Sequence, residues 1–456
     1  MREQERLHNL RKGAACCALT FHLEILGCPK NQTDGEGLKR LLLDAGFRSG
    51  SIDEAGFYLI LTCGFIESAK KEAIDEILKA VAAKKRKPEL KIVVMGCLAE
   101  RYSEELYTEI PEVDAVLGLS ENHRLVTHLK RISEGGRFYR RGAKSDYQFN
   151  LIRELDHSRK FAYLKLSEGC DNRCSYCAIP SIKGPLRSRK VSDILSEARQ
   201  IDQAGFKEII LVAQDSTRYG FDLAGKTLLP GLLENLAGET TIPWIRLMYA
   251  HPAHLDAETI EIFRKLPDRL LPYLDLPIQH ADSRILKLMG RNYAEKTLTD
   301  LIKRLRDQIP GLVLRSTVMV GFPGEGRKEL QTLLRFIEKI KLERVGVFRY
   351  SPEEGTASYE MKAPSARAAA AREQRILTLQ AGISAEFNQS RLHRKYRVLV
   401  EEKLENLPFG YQGRSFAEAP EIDPVIFFNS RKKLKSDFTD VIITGAQDYD
   451  LEGTAC

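Results

Sequence analysis

Three times between residues 21 and 110 the chain runs through a short apolar stretch, reaches a cysteine, and then turns into an amphipathic segment of helical period. Leu23 to Cys28 leads to Glu36–Leu43, Tyr58 to Cys63 leads to Ala69–Val81, and Lys91 to Cys97 leads to Tyr102–Ile110. Apolar runs alternating with helices argue for a parallel, doubly wound sheet, in which both faces of the strands are buried. In such a sheet the carboxyl ends of the strands line one crevice, so Cys28, Cys63 and Cys97 are expected at a single edge despite their distance in sequence. A lone cysteine closing a strand is ordinary packing. Three at one topological position point to a shared ligand.

A second set of thiols is denser. Cys170, Cys174 and Cys177 fall within eight residues, directly after the strand-like run Phe161–Leu166. Soft thiolates suit an iron–sulfur cluster, and a four-iron cubane held by only three of them keeps one iron open. Zinc and a redox pair from Cys174 and Cys177 use similar spacing. A closed zinc site needs a fourth ligand, and no His or Cys stands between Cys177 and His251, which puts zinc behind a cluster. This C-x-x-x-C-x-x-C spacing, with the aromatic Tyr176 before the last cysteine, resembles the signature of radical S-adenosylmethionine (SAM) enzymes. The resemblance implies that the open iron binds the amino and carboxylate groups of SAM, whose reductive cleavage gives a deoxyadenosyl radical.

The blocks around the first three cysteines narrow the resemblance. Leu26-Gly27-Cys28-Pro29-Lys30-Asn31, Thr62 to Lys70 and Gly96 to Tyr102 are similar to the N-terminal domain of the radical SAM methylthiotransferases. That family membership implies a second 4Fe-4S cluster on Cys28, Cys63 and Cys97, beside the one on Cys170, Cys174 and Cys177. It also implies that one SAM methylates sulfur at the first cluster and a second SAM supplies the radical. No catalytic residue beyond the cluster ligands is implied.

Residues 131–160 are charged, carry Gly135-Gly136 and lack a helical or strand period, which reads as a linker or interdomain hairpin. The expected organisation is an extension over 1–20, the first domain over 21–140, a linker over 141–160, a central domain over 161–388 and a small domain over 389–456. The central domain presents six strand candidates, Phe161–Leu166, Glu208–Val212, Trp244–Met248, Leu271–Leu276, Leu312–Val320 and Arg344–Phe348, with helical stretches between them. That is the pattern of a partial (β/α) barrel, where chemistry gathers at the C-terminal strand ends. Gln214, His251, Gln279, His280, Gly321 and Glu325 stand at such ends. The radical SAM resemblance makes Tyr176, Gln214, Gln279, Gly321 and Glu325 the expected cofactor contacts. A lone His251 or His280 reads more simply as a strand cap. Arg187 and Arg189 suit either an anionic group or an exposed loop.

A helix is expected over 362–388, followed by short β-type runs at 396–400, 409–414, 424–428 and 438–444. Several strands in so short a span predict a closed β-barrel used for recognition, and the stretch resembles the TRAM domain of methylthiotransferases. From 391 to 456 there are ten basic and eleven acidic residues, so a phosphate clamp is not expected and tRNA is a disfavoured partner. Glu418, Glu421 and Asp423 are expected to form an acidic docking surface for a basic protein. Gly27 to Asn31, Val212 to Thr217 and Gly413 to Asp423 are similar to the branch of the family that modifies an aspartate of small-subunit ribosomal protein twelve. Its implied partners are that protein, free or within a small subunit, and an electron donor. A tRNA adenosine methylthiotransferase and a non-catalytic iron–sulfur carrier are the alternatives.

Composition is consistent with this. A chain of 456 residues, 43% hydrophobic with net charge +7, is globular and multi-domain rather than a dedicated nucleic-acid binder. Nine cysteines, most in motifs, fit ligand roles in a reducing cytoplasm better than disulfides. The apolar run around Cys16 and Cys17 is too short for a signal peptide, and both thiols read as incidental.

Overall fold

The computed structural model describes residues 19–149, 152–405, 408–447 and 449–456. Cys16 and Cys17 lie outside the described residues. The chain divides into two compact units, the first comprising Met1–Asp156, Gly169–Asp171 and Ala178–Pro185, the second His157–Glu168, Asn172–Cys177 and Leu186–Cys456. Among the described residues no helix is long and apolar enough to cross a membrane.

The first unit is built on strands β1 (Thr20–Ile25), β2 (Arg48–Ser49), β3 (Phe57–Thr62), β4 (Lys91–Gly96), β5 (Ala115–Leu117) and β6 (Phe138–Arg140), ordered β2-β1-β3-β4-β5-β6 and all parallel. Both faces are covered. Helices Pro29–Asp44 and Leu125–Ser133 bury Leu38, Leu42, Leu125 and Leu129 against Leu59, Leu61 and Val93, while Glu67–Arg86 buries Ala73, Ile77 and Ala80 against Tyr58, Ile60 and Ile92. The β3 side chains alternate between these two cores, which is why the strand reads as a continuous apolar run. Phe138–Arg140 is a correction: the segment expected to lack strand structure supplies the edge strand β6. Three residues, two of them exposed, are too few to show a period.

The second unit opens with a six-stranded parallel sheet of β7 (Phe161–Lys165), β10 (Glu208–Val212), β11 (Trp244–Leu247), β12 (Leu270–Asp275), β13 (Val313–Val320) and β14 (Arg344–Arg349), each next to its predecessor, with β8 (Ser167–Glu168) and β9 (Arg187–Ser188) pairing apart. This is the expected partial barrel. Helix Ala366–Gln389 leads to a closed barrel of β15 (Lys395–Lys403), β16 (Tyr411–Arg414), β17 (Ile426–Asn429), β18 (Phe438–Ala446) and β19 (Leu451–Ala455).

The acidic stretch is not a docking surface. The segment after β16 packs on the sheet, where Ala417, Ala419 and Phe416 join Phe161, Ile210, Trp244, Tyr273 and Val313 in one apolar cluster. Glu418 is 1% exposed and ion-paired with Arg391. Asp423 accepts from Tyr273 Oη at 2.5 Å and Arg315 Nη1 at 2.8 Å. Glu421, with 44% of its side chain exposed, accepts from Tyr163 Oη at 2.7 Å and pairs with Arg159 at 2.9 Å. Beneath them Glu208 is held between Arg246 at 2.6 Å and Arg414 at 2.8 Å. Burying a carboxylate is tolerable only with such partners. The three acids therefore tether the small barrel to the sheet.

Candidate functional sites

In the first unit β1, β3 and β4 are neighbours, and Cys28, Cys63 and Cys97 each follow one of them directly. The strand order reverses direction between β1 and β3, the switch point where such sheets leave a crevice. The loops meet there. Asn31 Nδ2 donates to the carbonyls of Leu26 at 2.9 Å and Thr62 at 3.0 Å, tying the first loop to the second. Gly27, at φ +89°, lies so near Cys63 that an added Cβ would come within 2.5 Å of Cys63 Cβ. A Cβ on Gly64 would stand 2.7 Å from the Leu98 backbone, next to Cys97. Small residues are thus required for the three thiol-bearing turns to approach one another. Cys63 and Cys97 are buried and Cys28 is half-buried. Burial raises the Cys63 thiol, the neighbouring Cys28 raises it further, and the Phe65 and Gly64 amides and the Lys183 ammonium pull it back. Three soft donors on converging turns fit an iron–sulfur cluster.

The loop after β7 is equally constrained. Gly169, at φ +77°, leaves no room for a side chain, because a Cβ would fall 2.0 Å from the Pro185 carbonyl oxygen, and the Cys170 amide donates to Gly184 at 3.1 Å. In the second unit the Ser175 amide donates to Met289 O at 3.0 Å, Ser175 O accepts from Ser358, and the Cys177 amide closes a turn onto Cys174 at 3.1 Å. Tyr176 points inward onto Ile285, Met289 and Phe322, which leaves Cys174 and Cys177 half-buried at the rim of that cluster. Its hydroxyl accepts from Arg291 Nη2 at 2.6 Å. Burial raises the phenol well above its ordinary value, so it stays protonated.

The remaining predicted contacts sit at strand ends. Gln214 donates to the buried Glu168 at 2.8 Å and keeps a buried Oε1 without a hydrogen-bond partner among the described residues. Gln279 adopts φ +66° and bridges to Val318, so its backbone is fixed by β13. Gly321, at φ +75°, meets Ala369 of the long helix. Glu325 folds back onto the Gly321 amide and pairs with Arg372 at 3.2 Å, closing the glycine turn. His280 is buried and serves as a local cap, its Nδ1 accepting from the Asp282 amide at 2.9 Å. Arg189 is also engaged, pairing with Glu197 at 2.6 Å.

A feature absent from the sequence reading joins three strand ends. Asp215 accepts from Asn172 Nδ2 at 2.8 Å, from Thr217 Oγ1 at 2.5 Å and from His254 Nδ1 at 2.7 Å, while His251 stacks on His254 with ring centroids 4.4 Å apart. Burial raises Asp215, but His254, His251 and Thr217 more than offset it and leave its pKa at about 2. Burial and the nearby Arg291 hold His251 down at about 3, neutral at physiological pH. A charged carboxylate thus anchors Asn172 of the cysteine loop.

Comparisons with known proteins cover all three regions. Residues 20–118 match the uncharacterized protein family UPF0004, residues 164–337 match the radical SAM superfamily and residues 394–456 match the TRAM domain. The ribosomal protein uS12 methylthiotransferase RimO of Acetivibrio thermocellus is 43% identical over 441 residues, 94% of this chain and 96% of that protein. Its namesake in Clostridioides difficile is 40% identical over 95% of this chain and 98% of its own. Among solved structures, the radical S-adenosylmethionine methyltransferase TsrM of Kitasatospora setae aligns with a TM-score of 0.55 at 13% identity, over 75% of this chain and 77% of that one, a likeness of fold.

Proposed function

Because the chain belongs to the family of ribosomal protein uS12 methylthiotransferases, we propose that its two cysteine triads divide one reaction, the placing of a methylthio group on the β-carbon of an aspartate of that protein. Cys170, Cys174 and Cys177 hold one 4Fe-4S cluster and Cys28, Cys63 and Cys97 hold another, six protein ligands for two cubanes with one open iron each. With SAM bound at the former, the chemistry supplied is reductive cleavage to a deoxyadenosyl radical. The chain's own part is positioning. Tyr176 and the Ser175 backbone bonds fix the second triad. Gln214 offers its unpartnered Oε1 to a donor group of the cofactor. Gln279, Gly321 and Glu325 shape the turns on which SAM rests. Neutral His251 and the Asp215–His254 pair border the same rim and keep it polar. No general base is required, since a hydrogen atom rather than a proton leaves carbon.

The observation that carries the two-site reading is the convergence at the switch point of three turns that tolerate only small residues beside Cys28, Cys63 and Cys97. The substrate is read as the ribosomal protein, free or within an assembling small subunit, in the cytoplasm, with a separate electron donor and without tRNA. Anaerobic reconstitution tests the two-site reading. About eight irons per chain are expected, and about four after Cys170, Cys174 and Cys177 are replaced by alanine. Loss of all iron from that triple variant, or zinc in the unaltered chain, overturns it.

A further inference from the structure

The reaction read above takes a hydrogen from a carbon that carries a carboxylate, and holding that carboxylate calls for a cation. Most arginines at the strand ends of the second unit are engaged elsewhere. Arg189 pairs with Glu197, Arg284 with Glu329 and Arg372 with Glu325, while Arg291 donates to Tyr176. Arg218 differs. Among the described residues its side chain makes no ion pair and no hydrogen bond, and its Nε is buried without a partner. Its Cζ lies 4.2 Å from the centroid of the Phe221 ring, a contact that covers one face of the guanidinium and takes none of its N–H donors.

The turn that carries Arg218 is fixed on both sides. Ser216–Arg218 follows β10 directly, with the Ser216 amide donating to Tyr249 O at 3.0 Å and Thr217 Oγ1 accepting from the His251 amide at 3.1 Å, which bonds the turn to the end of β11. Asp215, just before it, anchors Asn172 of the cysteine loop. After it, buried Tyr219 donates to Arg189 O at 2.8 Å, and Gly220, at φ +84°, has no room for a Cβ, which would stand 2.4 Å from Leu228 Cγ. The charge of Arg218 is among those that keep His251 neutral. Arg218 is half-buried, and the adjoining Phe221 and Leu223 are 43% and 52% exposed, so the turn is open to a protein substrate.

We propose that Arg218 is a specificity-determining residue of the reaction, its guanidinium gripping the side-chain carboxylate of the substrate aspartate. A planar fork of N–H donors matches a carboxylate two bonds at a time. Holding that group fixes the β-carbon one bond away, and a site built for a charged acceptor rejects the neutral amide of the same shape. This rests on the reading of the substrate as an aspartate of the ribosomal protein.

The test gives the reconstituted full-length enzyme SAM, a reductant and sulfide, and offers it uS12 or uS12 with the modified aspartate replaced by asparagine. The unaltered enzyme should favour the aspartate form. Arg218→Gln should lower kcat/KM on that form by about tenfold to a hundredfold, the worth of a charge-assisted contact, while the asparagine form changes little, so the preference collapses. Arg218→Lys, which keeps the charge but not the fork, should recover part of it. Unchanged kcat/KM on the aspartate form in Arg218→Gln overturns the proposal, and so does an equal loss on both forms, which would mark a merely structural role. SAM half-saturation, read from deoxyadenosine formation, separates the two carboxylates at hand: a rise in Arg218→Gln would give the guanidinium to SAM and overturn the assignment to substrate. An unaltered enzyme that leaves uS12 unmodified overturns the underlying reading, and this inference with it.

Discussion

Replacing Arg414 by methionine removes three contacts at once, two of them buried: Nη2 to Glu208 at 2.8 Å and Nη1 to the Glu418 carbonyl at 2.9 Å, with the part-buried bond from Nε to Glu401 at 2.8 Å. The apolar stem is kept, so the loss is chiefly electrostatic. Glu208 is fully buried and, among the described residues, would retain Arg246 as its one ion-pair partner. Breaking one side of a buried ion pair costs about 3 to 5 kcal/mol, and the surviving Arg246 puts the expected loss near the lower end, about 3 kcal/mol. The chain carries a single tryptophan, Trp244, whose ring meets Phe438 of the small barrel edge-on at 4.9 Å. Its fluorescence therefore reports on the join between barrel and sheet. With a urea slope of about 3 kcal/mol per molar, the Trp244 transition should fall by about 1 M. Glu208→Gln combined with Arg414→Met should cost less than the two single changes added together, since they share a contact. A fall below about 0.3 M, or strict additivity, would refute the view that these charges fasten the barrel.

Acid should loosen the same join. Burial raises Glu418, but Arg391, Arg344 and Ser415 lower it more and leave its pKa at about 2 against an ordinary 4.5, so its stabilisation is complete above pH 4.5 and is lost as pH falls toward 2. That is worth about 3 kcal/mol, and urea midpoints of Trp244 fluorescence should hold from pH 7 to 5 and drop steeply between 4.5 and 3. Gly27→Ala must fit a Cβ 2.5 Å from Cys63 Cβ at φ +89°; iron analysis should show the first cluster lost and the second kept. Cys63→Ala should retain deoxyadenosine production while losing methylthio transfer, and wild-type transfer by this variant would remove Cys63 from sulfur handling.

The strands and the cysteine edge were legible because they depend on local patterns. β3 and β4 are buried on both faces and read as apolar runs, and a cysteine after each of three parallel strands can only arrive at one edge. The six strands of the partial barrel announced themselves in the same way. What failed depended on partners distant in sequence. Counting charges from 391 to 456 gave the sign of the small barrel but not which acids face water, and Glu418 and Asp423 turned inward because Arg391, Arg315 and Tyr273 wait for them. His254 had no signal apart from its neighbour His251; its role appears only when Asp215 from another strand end meets it. β6 and β19 were missed because one is three residues long and the other contains Gly453 amid polar neighbours.

The molecule this enzyme modifies decides between the ribosomal-protein and tRNA branches of its chemistry. The reconstituted chain, given SAM, a reductant and a sulfur source, should be offered small-subunit ribosomal protein uS12 and bulk tRNA in parallel, and both products read by mass spectrometry. A methylthio adduct on an aspartate of the ribosomal protein, with unmodified tRNA, is the result predicted. An adduct on tRNA adenosine, with the ribosomal protein unchanged, would contradict it.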